Sequence, residues 1–574
     1  MSARLSRLVP LLMLGALAAC KSDGVGPTPG LEVGQSLKVT GAQNVKLDGG
    51  SDGAEFYAVL ANSSTDTTTG AKESYTLLGS GLVAPTASLS PANTGAFSRL
   101  PSAGEPGSAP VLDHAFEAQL RARERAVLTA RIPAARAWLA ARQRAGTISS
   151  PDGSRTFDLT RRETALPSTV KVGDTVRVNV NGVDACSNPD YRGARVVAIG
   201  THAIVLADTS NPPLGFTDAD YQRFATRFDT LVYPLDVGAF GAPSDIDANG
   251  HIGLIFTTAV NALTPPNADS YVGGFTFSRD LFPVVGTTRL AGCAASNEGE
   301  YFYLLTPDPL GTINGNKRST GFVDTNTTAV IAHEFQHLIN ASRRIYVNNA
   351  SDLEDTWLDE GLAHIAEELL FYHEAGVGPR NNLGTPDIRA SEQRRTAFNL
   401  DMLGNSGRYR SYLLKPSASS PYANNDSLST RGATWDLLRY LADHKGASDG
   451  NTFFQLVNSQ TTGIANVTAV FGSTFPTMVR DWNVSHAVDD IAPVPAEMLQ
   501  PSWNWHSIYP VLYSSYPLPF QTMTSGTSYS GTVTPGGAAY FKLAVPSGNS
   551  ATITLGGQSA NAGSHLQLVV VRTR

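Results

Sequence analysis

The sequence has no basic surplus: Lys and Arg number 43 against 50 Asp and Glu, for a formal net charge of −7. No Lys/Arg run supplies the electrostatic footprint that nucleic acid requires, so nucleic-acid binding is excluded. Membrane-length apolar runs are missing beyond the N-terminus, which leaves the body of the chain as a soluble fold. No internal repeat is visible either, which argues against a solenoid. Cysteine is scarce, with three in 574 residues. At roughly 100–200 residues per domain, that length implies about three or four units.

What is present begins with an export signal. Arg4 and Arg7 precede an apolar stretch from Leu8 to Leu17, too short to span a bilayer. Leu17-Ala18-Ala19-Cys20 resembles the bacterial lipobox, which implies a signal peptide over 1–19 and a lipid on Cys20. Residues 20–30 then read as a lipid-anchored tether. Lys21 is not the aspartate that retains some lipoproteins at the inner membrane, so the expected location is the outer membrane of the envelope, or secretion. The other two cysteines, Cys186 and Cys293, are expected to pair in such an oxidising compartment.

Short alternating runs predict a small β domain over 31–100, with a Pro/Gly/Ser linker at 101–110. Residues 111–147 are rich in Ala, Leu, Arg and Glu and read as a helix or helix pair capped by Asp113, a structural lead-in or an inhibitory pro-segment. The main domain is placed at 150–490, with β patterning from Val170 to Tyr303 and helical periodicity from Thr325 to about Asp490. Strands followed by helices argue for an α+β fold. A C-terminal β module is expected over 520–574.

The chemistry concentrates in two segments of the helical half. In His333-Glu334-Phe335-Gln336-His337, Ile331, Phe335 and Leu338 line one helical face and the two histidines project from the other. Imidazoles one turn apart can hold one Zn²⁺, with Glu334 placed to activate a water on it. Asp324, Thr325 and Asn326 offer caps upstream. In Trp357–Glu368, Leu358, Leu362, Ile365 and Leu369 form an apolar stripe opposite Glu360, His364 and Glu367. Such a polar stripe needs partners if it is buried, and a metal with its histidines would supply them. Glu360 is read as the third ligand, with Asp359 and His364 as competitors.

These residues resemble the gluzincin peptidases, whose third zinc ligand is the Glu before the Gly. Asp245-Ile-Asp247-Ala-Asn249-Gly250, Tyr271-Val-Gly-Gly, Ser296-Asn297-Glu298, His-Glu-Phe-Gln-His-Leu-Ile and Arg439-Tyr440-Leu-Ala-Asp narrow the likeness to the hyicolysin-type neutral metallopeptidases, over roughly Val170 to Asp490. The resemblance implies a zincin-like α+β catalytic domain flanked by β-rich modules. It further implies one Zn²⁺ on His333, His337 and Glu360, Glu334 as general base, and a protein or peptide substrate. Arg431 stands where the family usually has an aromatic residue. For the oxyanion-stabilising group, Tyr409, Tyr412, Tyr422 and His444 are candidates that spacing does not separate.

The metzincin pattern is closed by Asn340 and Arg343, which occupy its Gly and His places. Asp245, Asp247 and Asn249 begin like a calcium loop, but position twelve is Phe256 instead of glutamate, and a tight Asx turn fits as well. The competing functions are a catalytically inactive surface lipoprotein that binds a protein or glycan, and a zinc hydrolase acting on a non-peptide amide or as an aminopeptidase. Oligomeric state is not legible.

Overall fold

Four strands form early in the chain: β1 (Ser36–Thr40), β2 (Asn44–Asp48), β3 (Ala54–Asn62) and β4 (Glu73–Ser80). The computed structural model describes residues 30–40, 44–85, 111–112, 114–147, 166–268, 270–286, 292–446, 448–556 and 564–574. The expected signal peptide, Cys20, nearly all of the tether, the 101–110 linker and Asp113 lie outside the described residues. No helix among the described residues is long and apolar enough to cross a membrane.

After β5 (Val111–Leu112) come α1 (His114–Leu128) and α2 (Ile132–Thr147), joined by a short 3-10 turn. Pro133 sits in the first turn of α2, where its missing N–H has no helical partner to lose.

The main sheet is built from β6 (Thr175–Asn179), β7 (Tyr191–Ile199), β8 (Ala203–Asp208), β9 (Ile252–Phe256), β11 (Gly274–Thr276) and β12 (Tyr301–Leu304). Their order is β11-β12-β9-β8-β7-β6. β9 runs parallel to both its neighbours, and its continuous apolar run Ile252–Phe256 is buried throughout, as a strand covered on two faces must be. β10 (Ser270–Tyr271) precedes the edge strand β11 and pairs in parallel with β5. The Cys186–Cys293 disulfide, with Cα atoms 4.4 Å apart, joins the loop before β7 to the loop before β12.

Helices then dominate: α3 (Thr320–Ser342), α4 (Thr356–Ala375), α5 (Leu403–Leu413), α6 (Leu428–Lys445) and α7 (Phe475–Val488). The result is a mixed α/β body, strands first. α3 begins earlier than its sequence suggests, because Ser319 Oγ accepts from Phe322 N at 3.1 Å and caps it. Asp324, Thr325 and Asn326 therefore lie inside the helix, and Asp324 pairs with Arg223 at 3.2 Å.

Helix approach is set by two glycines. A Cβ on Gly361 of α4 would lie 2.4 Å from Thr434 Cγ2 on α6, and one on Gly432 of α6 would lie 2.2 Å from the backbone of Arg408 and Tyr409 on α5. Backbone cannot swing aside. Gly432→Ala should thus destabilise the fold by about 1–3 kcal/mol from overpacking, outweighing roughly 1 kcal/mol of gained helix propensity. Chemical denaturation would read it as a lowered midpoint; an unchanged or raised midpoint would show that the two helices can separate freely.

The final strands are β13 (Gln521–Thr522), β14 (Ser528–Val533), β15 (Ala538–Val545), β16 (Ser550–Gly556) and β17 (Leu566–Arg572). They do not form a module of their own. One sheet runs β1-β17-β3-β15-β13 and the other β14-β4-β16-β2, so the two stretches expected as separate N- and C-terminal modules make one sandwich. β3 explains why: it is buried nearly throughout and needs a partner on each side, and only β15 and β17 supply them. The sandwich leans on the helical body through Tyr540, whose hydroxyl donates to Asn483 O on α7 at 2.8 Å.

Candidate metal centre

α3 buries its apolar face against the sheet, where Phe335 packs on Phe302 of β12 and on Phe228. The opposite face carries His333 and His337, also buried, at 5% and 1% exposure. His333 Nδ1 meets Glu367 Oε1 at 2.8 Å, and His337 Nδ1 meets Asp359 Oδ2 at 2.8 Å. A carboxylate at Nδ1 fixes the proton there and leaves the lone pair on Nε2. The two Nε2 atoms are 3.2 Å apart. Two ring nitrogens that close in a buried site could share one cation.

α4 supplies the third group. Glu360, fully buried, places Oε2 3.5 Å from His333 Nε2 and Oε1 3.7 Å from His337 Nε2. Its Oε1 accepts no hydrogen bond among the described residues. Burial works against its charge, but the Arg431 guanidinium and His337 outweigh it and hold the carboxyl well below the usual range. Asp359, one residue earlier, faces the outer nitrogen of His337 and is itself held by Asn340 Nδ2 at 2.6 Å. His364 stacks near His333 with Nδ1 3.2 Å from Glu367 Oε1, and burial together with Arg408 pushes it down to about 3, so it is neutral. His333, His364 and Glu367 also group closely enough to hold an ion, with Glu367 on the Nδ1 side of His333.

Glu334 is tied to the edge of the sheet. Its Oε2 accepts from Thr276 N at 2.7 Å, and Thr276 Oγ1 donates to the Glu334 carbonyl at 3.0 Å. Burial raises its carboxyl above the ordinary value. The donor set of His333, His337 and Glu360, two imidazoles and a carboxylate, fits Zn²⁺ in the three-ligand form that keeps one position open.

Four side chains proposed for oxyanion stabilisation are engaged elsewhere. Tyr409 receives Gln500, Tyr412 donates to Asn483, Tyr422 donates to Ser64, and His444 contacts the Tyr440 and Ala496 carbonyls. Arg431 is there instead, its Nη1 2.8 Å from Glu360 Oε2 and its Nη2 2.7 Å from Asp426. The calcium set of Asp245, Asp247 and Asn249 is not supported. Asn249 spends its amide on Asp247 and Leu166 and its oxygen on His251 N, forming the Asx turn, while Glu300 joins Asp245 and Asp247 in its place.

The sequence reading took α1 as a lead-in or an inhibitory pro-segment without singling out its charged side chains. Glu117, Arg121 and Glu124 are all buried; Glu117 and Arg121 reach the centre, and Glu124 pairs with Arg121. Their spacing of four and then three places them on one helical face, which is the signal that would have found them.

His333, His337 and Glu360 could hold one metal ion, with the buried carboxylate of Glu334 nearby. No family model matches the sequence. The neutral metalloprotease ShpI of Staphylococcus hyicus is 30% identical over 153 residues, covering 27% of this chain and 31% of that protein. The chain thus spans about a third of the length of the curated relative it matches.

Proposed function

We propose that the protein is an exported zinc-dependent endopeptidase, with His333, His337 and Glu360 holding the metal and Glu334 as general base. The observation that carries this is the convergence of two imidazole Nε2 atoms, 3.2 Å apart, on the Glu360 carboxylate. The partial likeness to a neutral metalloprotease supports the same reading.

Zinc bound there supplies a Lewis acid for the scissile carbonyl and an acidified water as nucleophile. Glu334 accepts the proton of the attacking water and returns it to the leaving amine. The Thr276 N–H keeps that carboxylate aimed. Glu367 and Asp359 hold the two imidazoles in the ligating tautomer. An extended peptide would lie beside β11, the open edge of the sheet. Export follows from the N-terminal signal, and a lipid on Cys20 would tether the enzyme to the envelope.

Elemental analysis of the full chain tests the centre, beside casein hydrolysis with and without chelator in the intact chain and in Glu117→Ala. One zinc per chain and chelator-sensitive hydrolysis in either form is the expected result. A folded chain without zinc overturns the proposal.

A further inference from the structure

We infer that α1 is an inhibitory plug that holds this metal centre shut, with Glu117 standing in the position that substrate and water must enter. The inference rests on the peptidase reading above. A carboxylate oxygen of Glu117 lies within 4.8 Å of both a His333 ring nitrogen and a Glu334 oxygen, within reach of one ion. Arg431 clasps the same carboxylate while its Nη1 lies 2.8 Å from Glu360.

One helical turn later Arg121 closes the other side. Its Nε is 3.6 Å from Glu360 Oε1 and its Nη2 3.6 Å from Glu334 Oε2, so one guanidinium bridges the third ligand and the base. Its Nη1 donates to the Thr276 carbonyl at 3.1 Å, and Glu124 accepts from Ser278 N. With Thr276 N on Glu334, both main-chain polar groups of Thr276 at the edge strand are engaged, its carbonyl by α1. β5 extends this cover by pairing with β10.

A helix that merely leads into a domain buries an apolar face. α1 buries Leu120 and Leu128 in that way, but it also buries three charged side chains, each under 10% exposed, and burying charge is costly unless every charge is met. Each one is: Glu117 by Arg431, Arg121 by Glu334, Glu360 and Glu124, and Glu124 by Arg121 and Ser278 N. Further along, Arg125 anchors α1 to Asp355 at 2.5 Å and to Asp352 at 3.4 Å.

The test compares the full chain with Glu117→Ala and with the size-preserving Glu117→Gln, each checked for folding by circular dichroism. Each protein is loaded with Co²⁺ and titrated with acetohydroxamate, following the visible absorption of the metal. Casein hydrolysis is then measured on the zinc forms. The expected result is acetohydroxamate binding at least about tenfold tighter in Glu117→Ala than in the parent, with Glu117→Gln between them and hydrolysis rising in the same order. Equal acetohydroxamate affinity in all three folded proteins overturns the plug. Tighter binding without hydrolysis in any form keeps the plug and removes the peptidase reading, so the two failures are distinct.

Discussion

Glu334→Gln, made in the Glu117→Ala chain, should keep its zinc and its melting temperature while casein hydrolysis falls by about 10²–10⁴-fold. The amide has the shape of the carboxylate, and its oxygen can still accept from Thr276 N, now 2.7 Å from Glu334 Oε2. Glu334 is not one of the three groups around the paired Nε2 atoms, so the metal should stay. What is lost is a proton acceptor beside the attacking water. Zinc retained with hydrolysis intact would show that another group takes the proton. Zinc lost along with activity would make Glu334 a ligand and Glu360 a bystander.

Glu360→Gln should weaken zinc binding by more than about 100-fold, and Asp359→Asn by only about 10–100-fold, the range for a group that orients a ligating histidine. The two substitutions are neighbours and each removes one charge, so general electrostatics would affect them alike. Their geometry differs: Glu360 faces both Nε2 atoms, while Asp359 sits on Nδ1 of His337, 2.8 Å away. Competition titration against a chromophoric chelator reads both constants. The reverse order would move the third ligand to Asp359, the arrangement of an aspzincin.

The grouping of His333, His337 and Glu360 was legible because each half of it is local. His333 and His337 lie one turn apart, and Glu360, His364 and Glu367 share a face opposite an apolar stripe, so periodicity alone orders them. The position of Asp359 on Nδ1 of His337 was not legible, since either of two neighbouring carboxylates can face a histidine until the ring nitrogens are placed. The pairing of Cys186 with Cys293 followed from their being the remaining two thiols in a chain whose first residues read as an export signal. The sandwich escaped because β3 finds its partners nearly 500 positions later, and strand patterning carries no address. The α1 helix was expected, but the burial of Glu117, Arg121 and Glu124 was not legible, because charged residues on an Ala-rich helix look like a solvated face until their counter-charges are placed.

The weave of that sandwich bears on what proteolysis of this chain would produce. β3 is flanked by β15 over eight residue pairs and by β17 over seven, strands from the opposite end of the polypeptide. A cut anywhere between residues 85 and 111 would sever the backbone without dividing the molecule. The N-terminal fragment would remain as a clasped subunit of the rest, with β3 still held between β15 and β17 if α1 moved. The protein would become two chains held together by the hydrogen bonds of the sheet and by the packing of Phe56, Ala58 and Leu60 in the sandwich core.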